Sequence, residues 1–131
     1  MNDSTATDRA RALVKAFYEG GARGRITDFR DSLDEHFELS VPPSLPWGGR
    51  FSKDQYVALL PRVAATLDFT RLTYLSLIAE GTHVVALIEI GVQGAENSVI
   101  ISEHWDIQDD KAVRLLVAYF DPTPLLLHAA V

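Results

Sequence analysis

Between Ser98 and Asp121 the chain reads SVIISEHWDIQDDKAVRLLVAYFD, two apolar arms around an acidic turn at Asp109, Asp110 and Lys111. Val, Ile, Trp, Tyr and Phe dominate the arms, a composition that specifies a hairpin. The arms are too apolar for a sheet with one wet face. Val99, Ile101, Trp105 and Ile107 alternate on one side of the first arm, with Leu116 and Phe120 as cross-strand companions. The other side carries Ile100, Ser102, His104 and Asp106, opposite Val113, Leu115, Val117, Tyr119 and Asp121. One packed face and one partly polar, concave face is the arrangement that encloses a pocket.

Upstream, Thr7 or Asp8 caps a helix running to about Glu19, with Ala12, Leu13, Ala16 and Phe17 on one face, and residues 1–7 are expected to fray. A second helix runs from about Thr27 to Asp34. Residues 35–41 alternate strictly, so they form a strand with Phe37, Leu39 and Val41 turned inward. Pro42, Pro43 and Pro46 end regular structure, and Trp47 follows in a glycine-flanked loop. Ser52 caps a third helix, helped by Gln55, towards Leu67, with Pro61 inside it. Strands over 69–79 and 83–92 then lead into the hairpin. After Asp121 the chain leaves the last strand abruptly and ends in an apolar patch. Helices first and antiparallel strands afterwards predict one α+β domain over residues 1–131: three helices on one face of a strongly bent sheet.

Composition removes several classes of function. A net charge of −6 and a pI near 5.1 argue against nucleic acid and anionic membranes as partners. With no cysteine there is no disulfide, thiolate metal site or Cys nucleophile. His36, His83, His104 and His128 lie on separate elements without metal-ligand spacing. Neither a metal nor any cofactor is expected. No apolar run approaches a membrane span, and a cytoplasmic protein is the expectation.

The LVKAFYEGG helix end, the PPSLPWGG loop, the EGTHVVALIEI hairpin and the final VAYFD resemble the nuclear transport factor 2-like superfamily. That superfamily includes ketosteroid isomerase and the SnoaL-like polyketide cyclases. The resemblance implies a cone whose mouth admits a small, mostly apolar molecule, and a homodimer through the outer sheet face. The Asp base of ketosteroid isomerase has no counterpart here, because its neighbourhood reads Ser40-Val41-Pro42-Pro43. The SnoaL-like cyclases place a His on the penultimate strand and an Asp at the end of the last. His104 and Asp121 occupy similar positions, with Tyr119 beside them as the third member of the expected catalytic set. If buried without pairing, Asp121 titrates above and His104 below its ordinary value. Phe17, Leu39, Trp47, Phe51, Tyr56, Leu60 and Val117 are the expected ligand-binding residues.

Two alternatives stay open. A two-residue turn at Asp110-Lys111 turns His104 inward with Tyr119 and Asp121, whereas a three-residue turn puts Glu103 and Trp105 there instead. The first is preferred, because Val99, Ile101, Trp105, Ile107, Leu116 and Phe120 then form the dimer face, with Trp105 as anchor. Function divides likewise. The cone serves either a cofactor-free isomerase, cyclase, dehydratase or epoxide hydrolase working by acid/base catalysis on a cyclic or carbonyl-bearing molecule, or a non-catalytic binding or assembly module.

Overall fold

The structure, a computed structural model, describes residues 2–45 and 47–128. Its element order is helix α1 (Asn2–Ala22), a 3₁₀ helix (Ile26–Ser32), strands β1 (Leu33–Val41) and β2 (Gly49–Ser52), helix α2 (Lys53–Thr66), strands β3 (Leu67–Glu80), β4 (His83–Val92), β5 (Ser98–Gln108) and β6 (Lys111–Tyr119), and helix α3 (Thr123–His128). The six strands form one sheet in the order β2-β1-β6-β5-β4-β3, antiparallel except for the β1–β6 pair. Pro46, expected to help end regular structure after β1, lies outside the described residues.

Helix α1 forms because Ala10, Val14, Phe17 and Tyr18 recur at helical spacing and bury one stripe on the sheet. It begins earlier than Thr7 and Asp8 suggested. Asp8 is not a cap but a side chain on the helix surface, paired with Arg11 three residues on. Arg9 Nε bonds Asp110 Oδ1 at 3.1 Å, fastening the helix to the β5–β6 turn. Near its end, Gly21 lies so close to β3 that a Cβ there would fall 2.4 Å from the Phe69 ring. Helix α2 opens with a capping box: the Gln55 N–H donates to Ser52 Oγ (3.4 Å), and the Ser52 N–H donates to Gln55 Oε1 (2.9 Å). Pro61 is accommodated inside it, with Tyr56 and Leu60 turned to the core.

The hairpin at the sheet's centre departs from both expected turns. Asp109 and Asp110 take φ of 51° and 61°, which makes a two-residue turn between Gln108 and Lys111. Ile107 then pairs with Ala112, but Asp106 pairs with Arg114, so Val113 is an extra residue in β6. That bulge reverses the parity of everything beyond it. Glu103 stands opposite Val117 and Ile101 opposite Tyr119, while His104 stands opposite Leu116. Val99, Ile101, Trp105 and Ile107 are consequently buried in the core, not arrayed on an outer dimer face. Of the six residues expected there, only Leu116 and Phe120 are exposed, at 49% and 84%.

Two elements fall outside the expected set. The short strand β2 pairs with the end of β1, and α3 packs the wholly buried Leu125 beside β4 and β5. Among the described residues no helix is long and apolar enough to cross a membrane.

Candidate functional site

The concave face of the sheet and the helices above it leave a cavity of about 40 Å³. Phe17 and Tyr18 reach it from α1, Leu39 and Val41 from β1, Tyr56, Leu59 and Val63 from α2, and Leu67 and Phe69 from β3. Ile88 and Ile90 of β4, Ile101 and Glu103 of β5, and Leu115, Val117 and Tyr119 of β6 complete the floor, with Trp47 from the loop before β2. The rings interlock: Phe17 lies 5.1 Å from Phe29, 5.3 Å from Trp105 and 6.1 Å from Phe69, centroid to centroid. Such edge-on and tilted contacts fix the walls as well as filling space.

Glu103 is the one carboxyl group in this lining. It is partly buried, and the surface it retains borders the cavity. Trp105 Nε1–H donates to the Tyr18 hydroxyl (3.2 Å), which spends its own proton on Glu103 Oε1 (2.6 Å). Among the described residues Tyr18 is the sole donor to this carboxylate, and no fully buried side-chain polar atom there lacks a partner. Oε2 therefore borders open space. Burial pushes the Glu103 carboxyl up from 4.5 to about 7, against the pull of the Tyr18 hydrogen bond. The Tyr56 and Tyr119 hydroxyls accept or donate no hydrogen bond among the described residues. Burial and then the neighbouring Glu103 charge push both phenols up, so all three tyrosines, Tyr18 included, stay protonated and able to donate.

The residues expected from sequence are distributed differently. Phe17, Leu39, Trp47, Tyr56, Val117 and Tyr119 border the cavity. Leu60 is fully buried behind it, and Phe51 borders a separate groove between β1 and β2. His104 and Asp121 are not in the cavity at all. The bulge at Val113 turns His104 to the outer face, where Nε2 meets Ser102 Oγ at 2.9 Å and the ring sits 6.2 Å from that of His83. Asp121 is exposed beyond the end of β6. The Thr123 hydroxyl and N–H bind its Oδ1 at 2.7 and 3.1 Å and hold the carboxyl below its usual range, opposite to the rise expected for a buried group.

The cavity holds instead Glu103, the inward residue of the other alternative, and Tyr18, and the sequence carried a further signal for Glu103. It occupies the in-phase position of the alternating set Val99, Ile101, Trp105 and Ile107, and a charged residue inside the most apolar stripe of a strand is informative. Tyr18 follows directly on Phe17. Both are buried because the helix stripe is wide enough to hold two adjacent positions.

Three helices on a bent, mostly antiparallel sheet, closed around an apolar cavity, define the nuclear transport factor 2-like fold. No family model and no curated protein matches the sequence, whereas solved structures match over nearly the whole chain. A candidate ketosteroid isomerase from Kribbella flavida superposes with a TM-score of 0.73 at 16% identity, covering 88% of this chain and 80% of that one. An NTF2-like protein from Burkholderia xenovorans gives 0.72 at 17%, covering 95% and 98%. A de novo designed protein with a curved β-sheet also gives 0.73 at 17%, covering 88% of each chain. A designed sheet among the matches makes plain that the likeness speaks for architecture, and that function has to come from the site.

Proposed function

We propose that the cone binds a small, mostly apolar molecule and acts on it by cofactor-independent acid/base chemistry at Glu103. The reaction class is isomerisation, cyclisation, dehydration or hydrolysis of a cyclic or carbonyl-bearing compound, akin to the ketosteroid isomerase and polyketide cyclase branches of this fold. The observation that carries this reading is a carboxyl held at about 7 with one oxygen facing the void. An acid whose midpoint lies near the working pH both accepts and returns a proton efficiently. The unpartnered Tyr56 and Tyr119 hydroxyls supply donors for an oxygen that gains negative charge in the transition state.

The test is deuterium exchange at carbon next to the carbonyl of small cyclic ketones, followed by NMR. Wild type should accelerate exchange by roughly 10²–10⁴, with one ionisation near 7, and Glu103→Gln should abolish the acceleration. Exchange that survives in the variant would refute the role of Glu103.

The cavity's volume favours a second reading. At about 40 Å³ it is far smaller than a drug-sized pocket, which suits a binding or assembly module. Ligand binding without exchange would decide for that alternative.

The partner we propose is a second copy of this chain, docked on the outer face of the sheet. Ile78, Val85, His104 and Leu116 form one row there, with Leu87, Ile100 and Phe120 in the rows beyond. Glu80, His83, Asp106 and Arg114 border this band with both signs of charge, as a self-complementary twofold contact requires.

A further inference from the structure

We propose that the ligand of the cone carries a small positively charged nitrogen, an amine or methylated ammonium, seated against Glu103 in a box of aromatic rings. This goes beyond the acid/base reading and rests on it only in taking the cone as a small-molecule site.

Charge is the first argument. Among the described residues the lining contains no Lys, Arg or His, and no cation there faces Glu103. Its only support among the described residues is the Tyr18 hydroxyl, and a partly buried carboxylate with one donor is incompletely compensated. An empty cone is therefore completed by a proton on Glu103, and a bound monocation would take that proton's place.

The walls are the second argument. Phe17, Tyr18, Trp47, Tyr56, Phe69 and Tyr119 border the void beside Glu103, sharing it with ten Leu, Ile and Val side chains. Aromatic faces carry negative quadrupoles, and several of them around one space attract ammonium groups that an aliphatic wall would reject. A neutral apolar head gains from the same walls by burial alone. It gains nothing from Glu103.

Size is the third. A water needs about 10–15 Å³ by this kind of measure, so about 40 Å³ holds a head of a few heavy atoms and not a fused ring system. A methylated ammonium is of that order. A cation there also keeps Glu103 ionised, which is the form that accepts protons. The proton balance is closed: a fixed cation binding to the neutral carboxyl releases one proton to solvent.

Choline and its uncharged carbon isostere dimethylbutanol separate these effects, since they differ in charge and hardly in shape. Binding is followed by NMR and calorimetry at about pH 6 and about pH 8. With Glu103 at about 7, choline affinity should rise about tenfold across that interval, with proton release at the lower pH. Dimethylbutanol affinity should stay level. In Glu103→Gln the two should bind alike, without pH dependence, and the dimethylbutanol reading reports whether that variant still has its cone. Equal wild-type affinities at about pH 8, or a flat pH profile for choline, would overturn the inference and leave the acid/base reading standing. Binding of neither compound would overturn the cone as a site for heads of this size, and this inference with it.

Discussion

Replacing Glu103 by Gln should make the protein more stable at neutral pH and not at acid pH. Gln is nearly isosteric, and its Oε1 still accepts from Tyr18, so packing and the 2.6 Å hydrogen bond are retained while the ionisation is removed. In the folded protein the Glu103 carboxyl titrates at about 7 against an ordinary 4.5. A group whose folded value is raised binds its proton more tightly when folded. Its stabilisation is complete below about 4.5 and is lost as the pH climbs through about 7. At about 1.4 kcal/mol per pH unit, the separation between those two values amounts to about 3 kcal/mol. Glu103 keeps part of its surface open to the cavity, so solvent screening makes that figure an upper limit. Equilibrium urea unfolding over about pH 4 to pH 8 measures it directly, because every other titrating group is common to both proteins and cancels in the difference. The curves should run together near pH 4 and diverge by up to about 3 kcal/mol in favour of the variant near pH 8. Parallel curves would mean that Glu103 ionises as an ordinary surface carboxyl does, and the site as described would not exist. A variant that gains stability while losing activity is what a strained functional group predicts.

Tyr18→Phe removes the one donor to Glu103 among the described residues. A hydrogen bond to a charged group contributes roughly 1.5–3 kcal/mol, so the Glu103 midpoint should climb by about one to two pH units in carbon-13 NMR titration. Trp105→Phe keeps most of the packing but deletes the Nε1–H bond to Tyr18, and should move Glu103 the same way by less; an unmoved midpoint in Tyr18→Phe would mean that the Tyr18 hydrogen bond does not hold the Glu103 carboxylate. Ser52→Ala dissolves the capping box of α2 and should cost about 1 kcal/mol in urea unfolding, whereas an unchanged midpoint would make that cap redundant. Leu116→Glu and Phe120→Glu place charge on the outer face and should yield monomers by sedimentation; a wild type that is monomeric at high concentration would dispose of the dimer.

Much of the architecture was legible because it rests on strong local signals. Ser52 with Gln55 announced the start of α2, and Val84, Ala86, Ile88 and Ile90 alternate so regularly that β4 runs over the expected residues. Other elements lack such signals. Strand β2 is four residues, Gly49–Ser52, lying between glycine-rich loop and helix cap, and it exists only because β1 offers a partner. Helix α3 starts beside Pro122 and Pro124, which read as chain breakers, yet proline is tolerated in a first helical turn. The first turns of α1 are polar and without an apolar stripe. Their place in the helix follows from the stripe that begins at Ala10.

The choice between His104 and Glu103, both open in the sequence, turned on a single residue, and the alternative that faced Glu103 and Trp105 inward has the observed facing. Strand parity along β6 depends on whether Val113 is paired, and no turn rule predicts a bulge two residues after a regular two-residue turn. Energetics offered a better guide than turn counting. Turning Val99, Ile101, Trp105 and Ile107 inward buries four large apolar side chains, each contributing roughly 1.5–3 kcal/mol, or about 6–12 kcal/mol together. The same choice encloses Glu103 at a cost of at most about 3 kcal/mol, from its displaced titration. The opposite register would have drawn Ser102, His104 and Asp106 inside and left Trp105 on the surface. Asp106 would then have lost both His83 and Arg114, which hold its two oxygens at 2.8 and 2.6 Å on the outer face. The balance favours the observed register by several kcal/mol, and the enclosed carboxylate comes with it. The sheet takes in Glu103 because the stripe around that position is too apolar to leave outside, and the chemistry proposed for the cone rests on this one carboxyl.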